Sequence, residues 1–75
     1  MGMEHDHLAQ AIRHIVRGEE MVSEQRGLVV RLARDGHDTT MAESLLATML
    51  ETLAHMREHR RMIEAAIALE ASGMK

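Results

Sequence analysis

Apolar residues return at helical intervals in two long runs of this chain. Leu8, Ile12, Ile15, Val22, Val29 and Leu32 make the first stripe, and Leu45, Met49, Leu53, Met56, Ile63 and Ile67 make the second. Steps of three, four or seven residues gather side chains on one face of an α-helix and scatter them on a strand. Between the runs lies the polar segment Asp35-Gly36-His37-Asp38-Thr39-Thr40. The pattern predicts an all-α fold, an antiparallel two-helix hairpin forming a single domain over residues 1–75. Helix one is expected over about 5–34, the turn over about 35–39 and helix two over about 40–71.

Residues that start and stop helices support these bounds. Asp6 suits an N-cap, and Arg31 and Arg34 put cations in the last turn of helix one. Gly36 fits the left-handed residue that closes a helix. Asp38 can cap helix two, and Thr40 with Glu43 three residues on has the form of a capping box. Gly18 and Gly27 each weaken helix one by about 1 kcal/mol relative to alanine, and either is a place for a kink or a break. Ser72 to Lys75 are expected to fray, and His5 and His7 to be close to disordered.

A heptad register follows from the turn. Position a holds Leu8, Ile15, Val22 and Val29 in helix one, and position d holds Ala11, Gly18, Gln25 and Leu32. In helix two, a holds Ala42, Met49, Met56 and Ile63, and d holds Leu45, Thr52, His59 and Ala66. Folding about His37 sets Ile15 against His59, Gly18 against Met56, Val22 against Thr52 and Gln25 against Met49. Most layers then match a large residue with a small one, as close packing requires. Gln25 either fixes the register through a hydrogen bond or reaches water at the bundle margin, the second being preferred. Gly18 opposite Met56 reads as a close helix approach.

The flanking positions point to a partner. They include Ile12, Met21, Leu28, Met41, Leu46, Leu53, Met62, Ile67 and Leu69, where a self-sufficient two-stranded coil carries charge. Burying a side chain of this size contributes about 1.5–3 kcal/mol. Several left in water would make an interaction patch. Ile12, Met21, Leu28, Leu46, Leu53, Met56 and Ile67 are therefore the expected interface. A homodimer completing a four-helix bundle is the simplest closed assembly. The methionines at 21, 41, 49, 56 and 62 fit a core filler, or an adaptable surface for a partner helix.

Composition narrows the alternatives. The 75 residues include no Cys, Pro, Phe, Tyr or Trp, which favours helix and excludes disulfides and thiolate metal sites. A chain this short is marginal alone, and oligomerisation is the remaining common source of stability. The net charge of −3 gives no global pull toward nucleic acid. No run approaches the ~20 apolar residues of a membrane span, and the acidic, polar start does not read as a secretory signal. The expected location is the cytoplasm.

Two clusters are candidates for chemistry. Glu51, His55 and His59 follow one another at four-residue steps, and the register brings His14 near His59. Neutral imidazoles one turn apart can chelate a divalent ion, although the HExxH and ExxH patterns are missing. Arg13 and Arg17 on helix one, with Arg57, Arg60 and Arg61 on helix two, fall at one end of the hairpin and could grip phosphate. Glu64 and Glu58 stand at ion-pairing distance in sequence from Arg60 and Arg61, and the lack of aromatic residues removes base stacking. Nucleic-acid binding is thus the weaker reading. Ser23, Ser44 and Ser72 have no nucleophile elbow or His/Asp arrangement, and no cofactor motif is present. The expected function is non-catalytic: a small oligomerising interaction or regulatory module acting through helix–helix contacts.

Gly36-His37-Asp38-Thr39, with Ala42, Leu45-Leu46, Thr52-Leu53 and His59-Arg60, resembles small uncharacterised proteobacterial helical-hairpin proteins from about Ile15 to Ile63. That resemblance implies a hairpin and carries no assigned activity. By shape, the expected dimer is also similar to the plasmid-copy-control RNA-binding hairpin of four-helix-bundle type, a likeness of fold alone.

Overall fold

A computed structural model describes the backbone of residues 3–73 and the side chains of residues 5–73. Two helices, α1 (Met3–Arg34) and α2 (Thr40–Ser72), lie side by side in a rod of 62 × 15 × 12 Å. Among the described residues there is no strand. The sequence places both helices within a residue or two of these ends. α1 runs unbroken through Gly18 and Gly27, so neither glycine marks a break. His5 and His7, expected to be loosely ordered, belong to the first turns of α1.

The turn closes as Gly36 suggests. Gly36 takes a positive φ of 79°, which costs a residue without Cβ nothing. Its N–H donates to the Ala33 carbonyl (3.1 Å), and the His37 N–H donates to the Leu32 carbonyl (2.8 Å). This paired arrangement is a Schellman motif, and it satisfies two carbonyls the helix end would otherwise leave open. The start of α2 differs from the expected capping box. Thr39 occupies the N-cap position and makes no side-chain cap bond. Asp38 supplies the acceptor instead: its Oδ1 receives the Thr40 N–H (2.9 Å) and the Thr40 hydroxyl (2.7 Å). The hydroxyl bond, then the backbone bond, holds the Asp38 carboxyl below the usual aspartate value.

The core is thin. Ala11, Ile15, Val22 and Leu53 are the buried hydrophobic residues, with Leu46, Met49 and Met56 packed against the cluster of Ile15, Val22 and Leu53. The α1 side of this seam follows the expected a and d positions. The α2 side does not. Its inward residues are Ala42, Leu46, Met49, Leu53, Met56, Arg60, Ile63 and Ile67, all buried or half-buried, whereas Leu45, Thr52, His59 and Ala66 are exposed. The a positions hold, but their partners are the residues one step later. Pointing Leu53 rather than Thr52 inward buries more apolar surface and spares a hydroxyl from the core.

Gln25 also departs from the preferred expectation. It is buried rather than marginal, and its Nε2 donates to the Ala42 carbonyl across the hairpin at 2.9 Å. The bond ties the C-terminal half of α1 to the first turn of α2. Gly18 does mark a close approach. A Cβ built there would meet Leu53 Cδ1 at 3.2 Å and Met56 Sδ at 3.4 Å.

Candidate functional site

The seam inside the hairpin uses only one stripe of α2. A second stripe runs beside it, also at alternating steps of four and three residues: Met41, Leu45, Thr48, Thr52, His55, His59, Met62, Ala66 and Leu69. Every one of these positions is exposed, and none carries a formal charge, in a chain of which 28% is charged. A helix with an uncharged, partly apolar stripe beside its packed seam can meet a second neighbour. The outer flank of α1 on this side is formed by His7, His14, Met21 and Leu28, again without formal charge.

Two depressions lie along the face so formed. Toward the turn, Gly18, Met21, Leu45, Thr48, Met49, Thr52, Leu53 and Met56 line an almost wholly apolar groove of about 340 Å³. Leu53 and Met56 fill the space a side chain at Gly18 would take, and so form its floor. The two threonines bond back to their own helix: Thr48 Oγ1 donates to the Ser44 carbonyl (3.3 Å) and Thr52 Oγ1 to the Thr48 carbonyl (3.0 Å). Their hydroxyl protons are thus satisfied before anything covers the groove, and burial there strands no donor. Toward the chain ends, His7, Gln10, Ala11, His14 and His59 line an open cleft of about 330 Å³.

The opposite face has a different character. Arg57 Nη2 donates to Glu19 Oε2 across the hairpin at 2.9 Å, and Arg60 Nε to Glu64 Oε2 at 3.2 Å. Arg61 pairs with Glu58. All six side chains are at least two-fifths exposed, so the pairs add little stability. They do neutralise the guanidiniums. Apolar side chains are exposed away from the uncharged groove as well: Ile12 and Val16 line one depression of α1 with Arg13, Arg17 and Glu20, and Val30 and Leu50 are also exposed.

The sequence-predicted residues sort accordingly. Met21 is exposed at the uncharged groove and Leu28 is half-buried on the same flank. Ile12 is exposed but lies on the other side. Leu53 is corrected outright: at 3% exposure it is the centre of the hairpin's own core and unavailable to a partner. Leu46 and Met56 pack against that core, and Ile67 is half-buried on the inward stripe, because the α2 seam runs through the e positions rather than d. Leu45, Thr48 and Thr52 were the residues the expected register hid or passed over, and the signal for them was the second uncharged stripe.

Arg57, Arg60 and Arg61 share a cleft with Ile15, Glu19 and Glu64, while Arg13 and Arg17 line a separate depression with Ile12, His14, Val16 and Glu20. His14 and His59 do share a cleft, joined by His7. His55, one turn along α2 from His59, is not part of it. Among the described residues no group of three or more His, Asp or Glu is disposed to hold a metal ion, so His14, His55 and His59 do not make a ligand set within one chain. Among the same residues no helix is long and apolar enough to cross a membrane.

Comparison of the chain with protein-family models, curated proteins and solved structures finds no match.

Proposed function

We propose that this chain is a non-catalytic self-associating module, two copies of which complete a four-helix bundle and act through helix–helix contacts. The observation that carries this reading is surface. The chain exposes 5924 Å². A compact 8.4 kDa monomer exposes roughly 4,600 Å² by the scaling of folded monomers. The hairpin therefore leaves about 1,300 Å² more in water than its mass requires, and a standard interface removes about 800 Å² from each partner. Its radius of gyration, 17.4 Å, likewise exceeds the roughly 11 Å of a compact domain of this length.

The exposed inventory agrees. Met21, Met41, Leu45, Met62 and Leu69 are between 47% and 86% exposed, while no large side chain among the described residues is fully buried. Arginine-mediated phosphate binding has less support, since each of the three α2 guanidiniums in question already faces a carboxylate. Sedimentation equilibrium tests the proposal. The expected mass is twice 8.4 kDa at micromolar concentration, with a melting temperature that rises with protein concentration. A single 8.4 kDa species up to high micromolar concentration would refute it.

A further inference from the structure

Resting on that reading, we infer that the second copy docks on the uncharged face of α2 and the adjoining flank of α1, centred on the groove between Met21, Leu45, Thr48 and Thr52, and that the ion-paired face stays in solvent. Three observations converge on this face. Its α2 stripe carries no formal charge from Met41 to Leu69, whereas the other face carries the Glu19–Arg57 pair. Its threonine hydroxyls are already bonded within α2, so covering them leaves no unsatisfied donor. Thr48 and Thr52 are small and exposed, which lets a second helix approach α2 closely.

Size permits such a contact. A side of the 62 Å rod at its 15 Å width spans on the order of 900 Å², so the area permits the ~800 Å² per partner of a stable interface, on this side as on the opposite one. The absence of charge also selects the occupant. In a twofold dimer a residue near the axis meets its own copy, so any charge there repels itself. A second copy of the same surface meets no such penalty.

The test compares matched substitutions on the two faces in the full chain. Leu45 and Val16 are 48% and 49% exposed, so glutamate at either perturbs the isolated hairpin to a similar degree. Leu45→Glu with Thr52→Glu is expected to give 8.4 kDa in sedimentation, and Val16→Glu with Val30→Glu to keep the wild-type dimer mass. The chain has no cysteine, so a second measurement works even where a glutamate variant fails to fold. Thr52→Cys and Val16→Cys, each alone, are alkylated in otherwise native protein. At dimer-forming concentration the thiol at 52 should react at least about tenfold more slowly than that at 16, and lose this protection on dilution. A wild-type chain that is monomeric throughout would overturn self-association itself. A wild-type dimer that survives the Leu45/Thr52 pair, or that protects position 16 and not 52, would overturn the choice of face and leave self-association standing.

Discussion

Gly18 and Gly27 offer an internal control on how closely the two helices pack. Both lie inside α1, so alanine gains the same helix propensity at each, about 1 kcal/mol. Their surroundings differ. A Cβ on Gly27 meets only Arg31 Nη1, at 3.4 Å, the far end of a flexible exposed side chain that swings aside freely. A Cβ on Gly18 meets Leu53 Cδ1 at 3.2 Å and Met56 Sδ at 3.4 Å. Methionine can bend away. Leu53 cannot, because it is 3% exposed and wedged between Ile15 and Val22. Forcing an extra methyl into such a site costs about 1–3 kcal/mol.

Gly27→Ala is therefore expected to stabilise by about 1 kcal/mol and raise the melting temperature by about 4–8 °C. Gly18→Ala should range from neutral to about 2 kcal/mol destabilising once the propensity gain is offset. The gap between the two variants, at least about 1 kcal/mol, measures the close approach with propensity cancelled. Leu53→Val removes the Cδ1 that the new methyl meets, so Gly18→Ala should be less harmful in that background, with a coupling of about 0.5 kcal/mol or more. Urea unfolding followed by far-ultraviolet circular dichroism is the assay, since the chain has no aromatic residue to fluoresce. Every variant must be held at one protein concentration, because association contributes to apparent stability. Gly18→Ala stabilising as much as Gly27→Ala would show that the helices are not in contact there.

Three further outcomes test the hairpin. Leu53→Ala empties the centre of the core and should cost about 2–5 kcal/mol, seen as a collapse of helical signal at temperatures where the wild type is folded; unchanged melting would contradict the e-position seam. Gln25→Ala should lose about 1 kcal/mol from the cross-hairpin bond to Ala42 together with some packing, whereas Gln25→Met, of similar length, should retain most of the stability because the Ala42 carbonyl keeps its place in the helix. Chemical denaturation of both variants decides it, and equal losses would show that the bond rather than the volume matters. Asp38 binds its proton less tightly in the folded chain than in the unfolded one. Its stabilising effect is thus present above the unfolded aspartate pKa and disappears as pH falls through the lowered folded value. The melting-temperature difference between wild type and Asp38→Ala should shrink over that acid range, and a constant difference across it would sink the assignment.

The parts of this fold legible in the sequence are those that one helix decides alone. Gly36 announces the left-handed closure, Arg31 and Arg34 mark the end of α1, and the a and d positions of α1 face α2 because only one of its stripes is strongly apolar. The α2 seam was not legible for the opposite reason. Its a positions have candidate partners on both sides, and a seven-residue repeat can be completed with Leu45, Thr52, His59 and Ala66 or with Leu46, Leu53, Arg60 and Ile67. Periodicity cannot choose between residues one step apart when both stripes repeat at seven. Volume chooses: Leu53 outweighs Thr52, and Ile67 outweighs Ala66, while Arg60 lies half-buried as its guanidinium reaches Glu64.

The ambiguity in the sequence and the interface proposed here have one physical origin. A helix that served a two-helix hairpin alone would need one apolar stripe and would put charge on both flanks, which makes the register obvious. α2 keeps its second stripe free of charge from Met41 to Leu69, and that stripe is what makes the a/d and a/e pairings hard to tell apart. Substituting Thr48 and Thr52 by lysine should therefore have two consequences together. The monomeric hairpin keeps its register, since neither residue faces α1, and the dimer is lost, since two lysines and their symmetry copies enter the proposed contact. Retained helicity at high concentration with halved mass is the expected result. A variant that kept the dimer mass would show that the second stripe is not the contact, and its freedom from charge would then need another cause.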